Sequence, residues 1–243
     1  MTFLKDRKWS FPIDDMDKKV YEFFPPMLAE KFQLALGDVK REWSFLSIIW
    51  ERLQNEYQEF SECRKVFQNL GKMKLAHQEI SKFTRKFMLS FELIHLDTED
   101  FFIHAEIMLD RVTFLITFFE KKIVKQGYQP RTESFKAFRK WFRDQKNSPL
   151  IFDIELKNYL LNNTDWFKKL EETRDDLIVH RKKSIYIDVM TKKGRAGKAK
   201  ARFDNARNVV DWSYIKEMPD LNFLMDGISG FLHFFDKHLS QML

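Results

Sequence analysis

The chain has little of what most other fold classes need. Its 243 residues include one cysteine, Cys63, so an internal disulfide and a cysteine-rich zinc site are excluded. A reducing, cytoplasmic setting is expected. Only 7 glycines and 6 prolines are present, too few to punctuate an architecture of many strands and tight turns. Long apolar runs are missing as well: the longest stretch without Asp, Glu, Lys or Arg is Gly227 to Phe235. A spanning helix needs about 20 apolar residues, so no membrane association is expected. Residues Met1 to Trp9 lack an apolar signal core and carry Asp6. There is no phosphate-binding glycine loop, nucleophile elbow or paired metal-ligand cluster, so no cofactor or metal is expected.

What is present is apolar and aromatic bulk with mixed charge. Hydrophobic residues are 44% and charged residues 32%, with 26 phenylalanines. That composition fills a core and argues against disorder. The formal charge is +6, but it is unevenly placed. Between Arg181 and Asn208 ten basic residues face two acidic ones, leaving 32 basic against 34 acidic elsewhere. The positive excess is a candidate footprint for a polyanion or a solvated loop.

The apolar spacing is helical nearly throughout, and the expected fold class is all-α, a helical bundle. A helix is expected from Asp14-Asp15, broken or restarted at Pro25-Pro26, and another from Asp38 to about Leu70 through Trp43, Leu46, Ile49, Trp50 and Leu53. A third spans about Lys72 to His95. A fourth runs from Thr98 to Gln126, with Asp97 as its N-cap. It carries two apolar stripes: Phe101, Ala105, Met108, Val112, Leu115 and Phe119, and Phe102, Leu109 and Ile116. Two stripes mean burial on two sides. A shorter basic helix, 131–146, places Phe135, Phe138, Trp141 and Phe142 beside Lys136, Arg139, Lys140 and Arg143, either toward the core with the charges in water or as a base-stacking, phosphate-contacting face. Next comes a helix opened by Ser148-Pro149, then one from Thr164 to Arg181, and a last one after Pro219. Between these last two, Ile185, Ile187 and Val189 alternate with Tyr186, Asp188 and Met190, as in a strand. A basic β-hairpin near 184–208, inserted before the last helix, follows. Residues 1–96 are expected as an N-terminal helical region and 97–243 as the main bundle.

On the helix from Thr164, the residues Trp166, Leu170, Thr173, Leu177 and His180 share one face, so His180 ends the apolar seam. Arg174 lies six residues before it. A titratable imidazole moves protons near neutral pH, and a guanidinium holds a phosphate. A capping histidine with surface ion pairs is the plainer alternative.

Arg174-Asp175-Asp176-Leu177-Ile178-Val179-His180 resembles the Arg-x5-His motif of the HEPN superfamily. Trp166-Phe167-x-x-Leu170 and the long Phe101–Phe119 helix with Leu109-Asp110-Arg111 are similar to HEPN proteins too. The resemblance covers roughly residues 97–240. It implies a homodimeric bundle of the HEPN type and a metal-independent endoribonuclease, acting as a toxin or in phage defence. His180 would transfer protons, Arg174 would stabilise the phosphate, and Asp175 would orient one of them. RNA would be held by Arg181, Lys182, Lys183, Lys192, Lys193, Arg195, Lys198, Lys200 and Arg202. An antitoxin protein is a further expected partner. Lys182 stands where one subset of the family has a tyrosine, which speaks against the regulation that subset uses. The alternative is a non-catalytic HEPN-like module that binds RNA, a nucleotide or a partner protein.

Overall fold

The computed structural model describes residues 10–69, 77–119, 133–144, 154–163, 165–175 and 221–241, and the backbone of three strands between the last two segments. Helices dominate: α1 (Asp15–Phe23), α2 (Pro26–Asn69), α3 (His77–Leu115, continued by a tighter turn at Ile116–Phe119), α4 (Phe135–Asp144), α5 (Ile154–Asn162), α6 (Asp165–Arg174) and α7 (Leu221–Ser240). The fold class is all-α. None of the described helices is long and apolar enough to cross a membrane.

Two expectations about helix ends are corrected. The helix expected from Asp38 starts at Pro26, where proline occupies a first-turn position that needs no N–H. The helices expected on either side of Asp97 are one, since α3 runs unbroken from His77 to Leu115. Asp97 sits in its middle, fully buried. Buried Phe91 and Ile94 before it and Phe101 and Phe102 after it give the helix one continuous apolar surface, and nothing in the backbone chemistry of Asp97 forces a stop. The end expected for this helix at Gln126 lies outside the described residues, as does Ser148-Pro149.

The apolar stripes of α3 are both buried, from Phe101 through Phe119 and from Phe102 through Ile116. On α7 the expected face is buried at Leu224, Ile228, Phe231, Leu232 and Phe235, whereas Phe223 is largely exposed.

Packing divides the chain into two units that interleave in sequence. One comprises residues 1–7, 48–102 and 170–222, and the other 8–47, 103–169 and 223–243. In the first, Trp50 meets Phe101, and Phe60 stacks on Phe87 with centroids 4.8 Å apart. In the second, Phe32 packs edge-on against Phe118 and Phe119. A second aromatic group joins α4, α6 and α7: Phe135 lies 4.7 Å from Phe167 and 5.0 Å from Phe231. Trp166 donates its indole N–H to the Asn163 carbonyl at 3.0 Å. Gly227 is what lets α7 approach it, because a Cβ there would lie 2.3 Å from the Trp166 ring.

Helix starts are satisfied by carboxylates from distant segments. Asp14 is at the N-cap of α1 but makes no side-chain cap bond. Instead the buried Asp236 of α7 accepts the N–H groups of Asp14, Asp15 and Met16 at 3.0, 2.9 and 2.9 Å. These are the donors a helix start leaves over, and the negative charge suits the positive end of the dipole. At α4, Ser134 Oγ accepts the Ala137 N–H at 3.1 Å, and Asp110 of α3 accepts that of Phe135 at 2.8 Å. Burial pushes the Asp110 carboxyl up, and the Phe135 N–H opposes that.

The expected hairpin is present in the backbone. Strand β1 (Ile185–Lys192) pairs antiparallel with β2 (Arg195–Phe203), which pairs with the short β3 (Val209–Val210). The register sets Tyr186 opposite Arg202 and Asp188 opposite Lys200, with a shift between Val189 and Thr191.

Candidate functional site

The candidate site begins where α6 ends. The helix is anchored at its start by Trp166 and Phe167, and Leu170 is buried one turn later. Thr173 is half-buried, so the apolar face thins toward the C-terminal end as the spacing requires. Arg174 is the last α-helical residue, and its cation suits the negative end of the helix dipole.

Asp175 accepts from Arg174 through both Nε, at 3.0 Å, and Nη2, at 2.5 Å. Neighbours on an α-helix diverge by about 100°, so regular helical geometry alone does not provide this pairing. At Asp175 the backbone leaves α-helical geometry for a wider turn, and the long arginine side chain folds back onto the carboxylate. The side chains keep 19% and 30% of their exposure, so the fork is oriented yet reachable. Such a pair fixes the orientation of the guanidinium, a group suited to a phosphate.

His180 and the segment 176–184 lie outside the described residues. So do the side chains of Lys192, Lys193, Arg195, Lys198, Lys200 and Arg202.

The basic helix α4 is no open phosphate surface at its centre. Phe135 and Phe138 are buried, and the Arg139 guanidinium lies 4.8 Å over the Phe167 ring. Trp141 is half-buried, and the Phe142 side chain lies outside the described residues.

Two polar joints between α2 and α3 were not apparent from the sequence. In the first, His104 Nδ1 lies 2.8 Å from the buried Glu42 Oε2, an arrangement in which the ring N–H donates to the carboxylate. Arg111 bridges Glu42 Oε1 at 3.3 Å and Asp38 Oδ2 at 3.1 Å. Arg41 holds the other oxygen of Asp38 at 2.8 Å, and the Phe45 ring lies against the imidazole. Glu42 is thus the hub of this network, with His104 and Arg111 as its partners. In the second joint, Arg52 pairs with Asp97 beside Glu56. No local signal marks either joint, since Glu42 and His104 are 62 residues apart and Arg52 and Asp97 are 45 apart.

Among the described residues, no three His, Cys, Asp or Glu side chains are grouped to hold a metal ion. No family model matches the chain, and no curated protein or solved structure shows significant similarity to it.

Proposed function

We propose that the chain is a metal-independent endoribonuclease of the HEPN type, acting as a toxin or in phage defence. The observation that carries this reading is the Arg174–Asp175 fork at the end of α6, six residues before His180 in the motif. RNA contains its own nucleophile, so the reaction needs a base, an acid and a cation rather than a metal. His180 takes the proton of a 2′-hydroxyl, whose oxygen bonds to the adjacent phosphorus as the bond to the 5′-oxygen breaks. The second subunit's copy of the motif returns a proton to the leaving oxygen. Arg174 stabilises the extra charge on the phosphoryl oxygens, and Asp175 is a positioning residue for that guanidinium. The ten basic residues between Arg181 and Asn208 hold the RNA backbone.

The test is cleavage of RNA in EDTA by wild type, H180A, R174A and D175N, after checking that all four have the same helical content. Wild type should cleave. H180A should lose about 10²–10⁴-fold, R174A about 10²–10³-fold, and D175N less than either. Equal cleavage by wild type and H180A would remove this site. Salt-sensitive RNA binding without cleavage would favour the non-catalytic module instead.

A further inference from the structure

The second joint between α2 and α3 holds more carboxylate than cation. Asp97 is fully buried in the middle of α3. One of its oxygens, Oδ1, takes Arg52 of α2, and the other, Oδ2, is buried with no donor against it. Glu56 lies one turn beyond Arg52 on α2. It is half-buried, and its Oε2 likewise has no donor. The two carboxyl groups are within hydrogen-bonding reach of each other.

Two ionised carboxylates have no proton to place between them, because each only accepts. The surroundings do not supply another donor. On α2, Arg52 faces Asp97, while Glu59 adds negative charge and is itself met by Lys86 at 3.5 Å. On α3, Asp100 adds a further negative charge near Asp97. A proton on one carboxyl turns it into a donor to the other and removes the repulsion.

We propose that Glu56 and Asp97 bind one shared proton at neutral pH, which makes this seam a proton-responsive joint between α2 and α3. Arg52 keeps Asp97 as the ionised partner, so Glu56 carries the proton and donates it. Burial, and then the Asp97 charge, push Glu56 up to about 7. Burial also pushes Asp97 up, against Arg52. The folded value for Glu56 is above its ordinary one. Its stabilising contribution is therefore complete below about 4.5 and is lost as pH rises through about 7. The proposal is independent of the ribonuclease reading.

The experiment uses the full chain. The Glu56 carboxyl carbon is titrated by NMR, and thermal melts are recorded from pH 5.5 to 8.5 for wild type, E56Q and D97N. The nearby His95–Glu99 pair is common to all three proteins, so differences between them isolate the joint. Glu56 should titrate near neutrality in wild type. Wild type should lose Tm between pH 6 and 8 relative to E56Q, whose amide donates without titrating. In D97N the Glu56 midpoint should fall, because Arg52 then faces Glu56 alone. A wild-type Glu56 midpoint in the ordinary carboxylate range, or equal pH slopes for wild type and E56Q, would overturn the proposal. Should D97N fail to fold, the wild-type titration and E56Q decide the matter.

Discussion

The same two helices are joined twice by polar groups, and the two joints solve the problem of buried charge in opposite ways. At Glu42, two carboxylates meet two guanidinium groups and an imidazole, and both Glu42 oxygens have a cationic or N–H partner. At Asp97, two carboxyl groups meet one guanidinium, and two oxygens are left over. A buried carboxylate is tolerated only when its lone pairs are met. The first joint meets them with fixed cations and the second with a proton. Sequence composition does not separate the two, since both draw on Arg, Asp and Glu from α2 and α3. What separates them is whether the charges balance.

The comparison can be broken hardest through the aromatic packing beside the second joint. Phe60 lies one turn beyond Glu56 and stacks on Phe87. F60A should destabilise the protein by about 3–5 kcal/mol in urea unfolding, and the Glu56 carboxyl should return toward its ordinary value as water enters. A Glu56 titration that stays near neutrality in F60A would show that burial is not its main cause.

Glutamine in place of each glutamate sharpens the contrast. E42Q removes a charge that His104 and Arg111 both use, and should cost about 1–3 kcal/mol at pH 8. E56Q at the same pH should leave stability unchanged or raise it. Equal losses in the two variants would mean that the Glu56 charge is held by Arg52 as an ordinary ion pair rather than opposed by Asp97. The smallest effect is expected at Arg41, whose pair with Asp38 is about half exposed on both sides. R41A should stay within about 0.5 kcal/mol of wild type, and a larger loss would show that the first joint depends on its outer cation.

Much of the fold was legible because helical periodicity reports burial directly. The 4-3-4 spacing of Phe101 to Phe119 and the sevenfold spacing of Phe102, Leu109 and Ile116 are both buried faces of α3. Pro25-Pro26 marked the break before α2 for a local steric reason. Asp97 misled because an aspartate followed by Glu99 and Asp100 has the composition of a helix start. Its partner, Arg52, is on another helix, and only that pairing makes a buried aspartate tolerable in mid-helix. The candidate site was legible as a motif, Arg174 to His180. The resemblance left open whether Asp175 orients Arg174 or His180, and its pairing with Arg174 comes where the backbone leaves α-helical geometry.

By itself the sequence determined the helical class, the buried stripes, the strand alternation before α7 and the clustering of positive charge after His180. These follow from residue spacing and composition, which act over a few turns of chain. Only the tertiary structure decided which carboxylate caps which helix, which histidine gains a buried glutamate, and where two acids face one base. Asp236 at the start of α1, Glu42 at His104 and Asp97 between Arg52 and Glu56 each meet partners at least 41 residues away. Charge balance at such a contact depends on which distant residues the fold brings together.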